Sequence, residues 1–71
     1  MGVVVYTMPN CRACEDIKNR LNVAGLEFTT VENMDEIIAK SNEVGSRAMP
    51  LVFIDGEYKN NIEVLKMIKF Y

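Results

Sequence analysis

The 71-residue chain has no histidine and only two cysteines. Without an imidazole, no Cys–His nucleophile–base pair can form. Two cysteines cannot build the disulfide framework that supports many very small domains. Eight Lys and Arg against ten Asp and Glu leave a formal net charge of −2. There is thus no basic excess to follow a nucleic-acid backbone, and nucleic acid is not an expected partner. The longest apolar run, Met49 to Ile54, falls far short of the ~20 residues that cross a bilayer. The start, Met1-Gly2-Val3-Val4-Val5, lacks the charged beginning and cleavage site of a secretory signal. Tyr6 stands where a myristoylation pattern needs Ser or Thr. No membrane attachment is expected, and a reducing cytoplasm is the expected location. Repeats, linkers and low-complexity segments are also missing, so one domain over residues 1–71 is expected, and a monomer.

Both cysteines sit together, in Pro9-Asn10-Cys11-Arg12-Ala13-Cys14. A bond between Cys11 and Cys14 would close a loop of only four residues. The chain-entropy model gives such a loop about 2 kcal/mol, and it would tie residues a helix already holds close. A reactive role is therefore favoured over a structural one. In a reducing compartment a Cys-x-x-Cys is catalytic or metal-binding before it is structural. Cys11 falls at a helix start, where free N–H groups and the helix dipole stabilise a thiolate. Arg12 adds a positive charge beside it. Cys14, one turn on, faces the same side and should be the more buried.

The remaining elements follow in order. Val3 to Tyr6 is a β-branched and aromatic run that reads as a central strand buried on both faces. Pro9 ends its approach and Asn10 is the expected N-cap. A helix to about Ala24 carries Cys14, Ile17, Leu21 and Ala24 on one stripe, and Gly25 terminates it. Leu26 to Val31 reads as a second strand. Glu32-Asn33 leads into a helix ending near Val44-Gly45, with Met34, Ile37 and Ile38 as its buried face and Asp35 and Glu36 at its start. Leu51 to Ile54 is a third strand. Asp55-Gly56 is a two-residue hairpin signal, returning the chain antiparallel through Glu57 to Lys59. Asn60-Asn61 is expected to cap a final helix with Ile62, Leu65 and Ile68 on one stripe. The order βαβ, α, ββα makes an α/β sandwich on a mixed four-stranded sheet.

Val4-Val5-Tyr6-Thr7-Met8-Pro9-Asn10-Cys11-Arg12-Ala13-Cys14, followed by Ser46-Arg47-Ala48-Met49-Pro50-Leu51-Val52-Phe53-Ile54-Asp55-Gly56, resembles a glutaredoxin of the thioredoxin fold over essentially the whole chain. The resemblance implies sheet order 2-1-3-4 with the third strand antiparallel to the first. It implies a cis peptide bond before Pro50, and a Met49 backbone that pairs with the cysteine residue of an incoming substrate. It also implies thiol–disulfide exchange with Cys11 attacking and Cys14 resolving, and glutathione contacts from Arg12, Arg47, Asn61 and Ile62. Met8, Ala13 and Asn60-Asn61 depart from the lysine, tyrosine and glycine pair common in glutathione binders. These departures separate disulfide exchange, which is expected, from a strong preference for glutathione.

Expected partners are therefore a disulfide-containing protein and, as electron source, either glutathione as co-substrate or a thioredoxin reductase. The latter serves the glutaredoxin-like redoxins that donate electrons to ribonucleotide reductase. No tightly bound cofactor is expected. An alternative of another class is an iron–sulfur or metal site, since two thiolates on one turn supply half a tetrahedral set. With no histidine and no third cysteine, that reading needs a dimer and thiolates from glutathione.

Overall fold

The computed structural model describes residues 2–46 and 49–69. Its elements are β1 (Val3–Tyr6), α1 (Arg12–Val23), β2 (Thr29–Val31), α2 (Met34–Val44), β3 (Leu51–Ile54), β4 (Glu57–Lys59) and α3 (Asn61–Lys69). The four strands form one sheet in the order β2-β1-β3-β4. β1 runs parallel to β2 and antiparallel to β3, and β4 returns antiparallel beside β3. This is the expected thioredoxin-like arrangement. The tight return is made by Asp55 and Gly56, both at positive φ (52° and 82°), as a primed two-residue hairpin turn requires.

The β-branched residues of β1 and β3 alternate between two unlike faces. Val3, Val5, Val52 and Ile54 join Ile17, Leu21 and Val64 in one core, with Leu26, Phe28, Met67 and Ile68 packed around it. α1 and α3 thus cover that face. The other face carries Val4, Tyr6, Leu51 and Phe53 under α2 alone. β1 is accordingly less enclosed than its composition suggests: Val3 and Val5 are buried, Val4 and Tyr6 half-buried.

Helix ends explain where the boundaries fall. Gly25, at φ 75°, closes α1: the Leu26 N–H donates to the Leu21 carbonyl and the Gly25 N–H to that of Asn22, each at 3.0 Å, a Schellman pair. Asn33 starts α2 by accepting the Glu36 N–H at 3.1 Å. Four expectations need correction. α1 is not capped by Asn10, which sits at φ 58°, but by Cys11. β2 spans only Thr29–Val31, because Leu26 and Phe28 pack against the core instead of pairing. On α2 only Ile37 is buried, while Met34 and Ile38 stay exposed. On α3 the buried residue is Val64, with Ile68 at the core's margin and Ile62 and Leu65 exposed. A nine-residue helix has only two and a half turns, so a shift of its facing angle by one position changes which side chains reach the sheet.

Candidate active site

The chain leaves β1 at Tyr6 and must turn sharply to enter α1. Pro9 fixes one φ angle. Asn10 takes the left-handed conformation that asparagine tolerates better than most residues. The turn delivers Cys11 in an extended conformation (φ −103°, ψ 107°) as the N-cap of α1. Its sulfur takes the place of the usual capping oxygen: the Cys14 N–H donates to Cys11 Sγ at 3.2 Å, and the Glu15 N–H to the Cys11 carbonyl at 3.1 Å. Cys11 thus stands at the cap itself, one position before the first helical turn in which the sequence places it.

The two thiols occupy different surroundings. Both are free; Cys11 is half-exposed and Cys14 fully buried. Burial pushes the Cys14 thiol up from its ordinary range, and the hydrogen bond shared with Cys11 pushes the same way. Contacts from the Met8 backbone and the Thr7 side chain oppose them. Thr7 is 1% exposed and is the one buried polar side chain among the described residues. Sequence reasoning passed over it. The available signal was a hydroxyl at the buried end of a hydrophobic strand, where a polar group needs a partner.

Across the turn, the Met49–Pro50 peptide bond is cis, Pro50 is fully buried and Met49 half-buried. A groove of about 310 Å³ is lined by Met8, Met34, Ile37, Ile38, Ser41 and Met49. Two of its walls, Met8 and Met49, belong to the loops that carry Cys11 and Pro50. A larger cleft of about 690 Å³ lies at the opposite end of the sheet, between Gly2, Asn22 and Phe28, and contains no thiol.

The other expected contacts are scattered. Arg12 is exposed on the first turn of α1. Ile62 is 66% exposed at the start of α3. Asn61 does not cap α3; that role belongs to Asn60, whose Oδ1 accepts the Glu63 N–H at 2.8 Å. The Asn61 side chain turns instead to the Met49 carbonyl, donating through Nδ2 at 3.5 Å. Arg47 lies outside the described residues. Among the described residues, no group of three or more His, Cys, Asp or Glu side chains is placed to hold a metal ion. Nor is any helix there long and apolar enough to cross a membrane.

Residues 3–59 match the family model for glutaredoxin. The gene 56 protein of Mycobacterium phage L5 is 32% identical over 56 residues, 75% of this chain; the match spans about half (54%) of that relative's length. Among solved structures, the fold superimposes with a TM-score of 0.80 on the glutaredoxin-like protein NrdH-redoxin from Escherichia coli, a protein described as having a thioredoxin-like activity profile. That match covers 99% of this chain and 93% of the other at 21% identity. A threonine-to-alanine variant of the thioredoxin-like protein BC3987 superimposes at 0.74, also at 21% identity, over 94% and 95% of the two chains. With four-fifths of its length under one family model and the Cys-x-x-Cys turn at the start of its first helix, the chain belongs to the glutaredoxin family.

Proposed function

We propose that this protein reduces disulfides through Cys11-Arg12-Ala13-Cys14, with proteins as its principal substrates. The observation that carries the reading is the inequality of the two thiols: Cys11 is half-exposed and hydrogen-bonded as the cap of α1, while Cys14 is buried one turn behind it. The exposed thiolate of Cys11 attacks one sulfur of the substrate disulfide. That bond breaks, its other sulfur leaves as thiolate, and a mixed disulfide to Cys11 forms. Cys14 loses its proton and attacks the Cys11 sulfur. The mixed disulfide breaks, the second substrate thiolate leaves, and a Cys11–Cys14 disulfide remains. Two electrons have passed to the substrate. The backbone N–H and C=O of Met49 pair with the substrate's cysteine residue as one further rung, against the surface of Pro50.

The oxidised protein is returned to the dithiol by NADPH through a thioredoxin reductase, with ribonucleotide reductase as a candidate electron acceptor. Two observations support this choice over glutathione. Among the described residues, the groove beside the thiols is lined by methionine, isoleucine, serine and asparagine side chains, with no lysine or arginine among them. The NrdH-redoxin it resembles in fold has a thioredoxin-like activity profile. The deciding experiment incubates the oxidised protein with NADPH and either thioredoxin reductase, or glutathione and glutathione reductase. Rapid NADPH consumption in the first mixture alone is expected. Turnover confined to the second mixture reverses the assignment of the electron source, and turnover in neither rejects the enzymatic reading.

A further inference from the structure

We propose that Asn61 is a positioning residue, whose side-chain amide holds the Met49 carbonyl in the orientation that receives a substrate polypeptide. The inference rests on the Met49 pairing described above and assigns the group that prepares it.

Asn61 has no capping duty to perform. Asn60 already accepts the Glu63 N–H through its side chain, at 2.8 Å, and the Val64 N–H through its carbonyl, at 3.0 Å. Asn61 is the first residue of α3, yet its side chain reaches across to a residue twelve positions earlier, donating from Nδ2 to the Met49 carbonyl at 3.5 Å. Its Oδ1 is buried and has no hydrogen-bond partner among the described residues. A buried amide oxygen without a donor costs free energy that an apolar side chain of similar shape avoids. Helix stability therefore gives no reason for asparagine here. The contact to Met49 is what this side chain supplies.

Met49 has little else to orient it. It precedes β3 and follows α2, outside both. Among the described residues, no backbone hydrogen bond outside helices and strands reaches it. A carbonyl oxygen has two lone pairs. With Asn61 on one, the other stays available for the N–H of an incoming chain. The Nδ2 distance is long for an N–H···O bond, so the contact leaves most of the carbonyl's accepting strength to an incoming N–H. Orientation set before binding lowers the ordering cost at the moment of binding.

The test is single-turnover oxidation of the pre-reduced protein by two disulfides, which removes the electron source from the measurement. One is a disulfide-bonded peptide; the other is bis(2-hydroxyethyl) disulfide, which has no backbone to pair. Asn61→Asp loses the donor yet places a carboxylate at the first turn of α3, where the helix dipole favours it. Asn61→Leu keeps the approximate shape without either polar atom. Melting curves accompany both. In each variant the half-saturation concentration for the peptide should rise three- to tenfold more than that for bis(2-hydroxyethyl) disulfide, the size expected for one neutral hydrogen bond. The limiting rate for the peptide should change less than that. A role in helix stability alone predicts instead that Asn61→Asp matches the wild type on both substrates. That result overturns the proposal, as does an equal loss on both. If the wild type itself gives the peptide no advantage, the Met49 pairing fails and the proposal fails with it. If the wild type prefers the peptide and both variants keep that preference, the pairing stands and only the role of Asn61 falls.

Discussion

The two faces of the sheet are built to different standards. Under α1 and α3, Val3, Val5, Ile17, Leu21, Val52 and Val64 form a continuous core at or below 4% exposure. Under α2, one eleven-residue helix covers Tyr6, Leu51 and Phe53. It buries only Ile37 and leaves Met34 and Ile38 about half exposed (46% and 52%). Aromatic rings fill part of the shortfall: Tyr6 meets Phe53 edge-on at 5.4 Å, Phe53 meets Tyr58 at 5.8 Å, and the Lys40 ammonium lies 5.1 Å from the centre of the Phe53 ring. A domain of this length has about 3–5 kcal/mol of net stability, and most of its apolar packing lies on the first face. The second face can then leave a groove open beside the thiols. Cys11 and Cys14 sit at the start of α1, close to where the two regimes meet.

Substitutions can break that contrast or sharpen it. The largest effect is expected where the regimes meet. Cys11→Ser should reduce turnover about a thousandfold or more. Cys14→Ser should keep the first attack and accumulate a mixed disulfide with substrate, seen as an added mass in an intact-protein spectrum. If Cys14→Ser turns over protein disulfides at the wild-type rate, the division of labour between the thiols is wrong.

Next comes the packed face. Leu21→Ala removes a fully buried side chain and should cost about 2–5 kcal/mol, most of the stability available. Urea unfolding should show it as a midpoint near zero denaturant. Ile38→Ser on the other face should stay within about 0.5 kcal/mol while weakening the use of protein substrates. Equal destabilisation by the two would dissolve the contrast.

A smaller effect belongs to Thr7. Thr7→Val removes the hydroxyl beside Cys14 and keeps most of the shape. The resolving step should slow roughly three- to tenfold, with the first attack on substrate unaltered, in stopped-flow traces of mixed-disulfide decay.

The smallest is a dependence on pH. Burial raises the Cys14 thiol, so the reduced folded protein binds that proton more tightly than the unfolded chain does. Its contribution to stability is complete below the unfolded thiol's value of about 8.5 and is lost as pH rises past the folded value. The melting temperature of the reduced protein should therefore decline by a few degrees between about pH 8 and 10. Cys14→Ala should remove most of that decline; a parallel decline in the variant would mean that other groups carry it.

Much of this was legible in the residues. β1, β3 and the hairpin announce themselves through β-branched runs and Asp55-Gly56, because a strand's side-chain pattern and a primed turn's positive φ are local requirements. The thiol pair at a helix start is equally local. The misreadings concern which side of a short helix meets the sheet, where a cap falls, where β2 begins and how far β1 is enclosed. Val64, Ile62 and Leu65 are all apolar, and α3 is too short for periodicity to choose among them. Asn10 and Cys11 can each begin a helix. The choice fell to Cys11 because Asn10 was taken into a left-handed turn. Thr7 has no motif of its own; it matters only because β1 ends against the first turn of α1.

Composition, pattern and spacing by themselves determined the order of elements, the family resemblance and the choice of Cys11 and Cys14 as the candidate reactive pair. These depend on neighbours along the chain, where backbone preference and helix geometry act. Tertiary structure alone decided the rest. It set the burial that makes Cys14 unlike Cys11, the groove that Met49 shares with Met8 beside the thiols, and the reach of Asn61 to the Met49 carbonyl. Each of these joins residues distant in the chain through desolvation or hydrogen bonding, and such forces are set by what packs nearby rather than by what precedes in sequence.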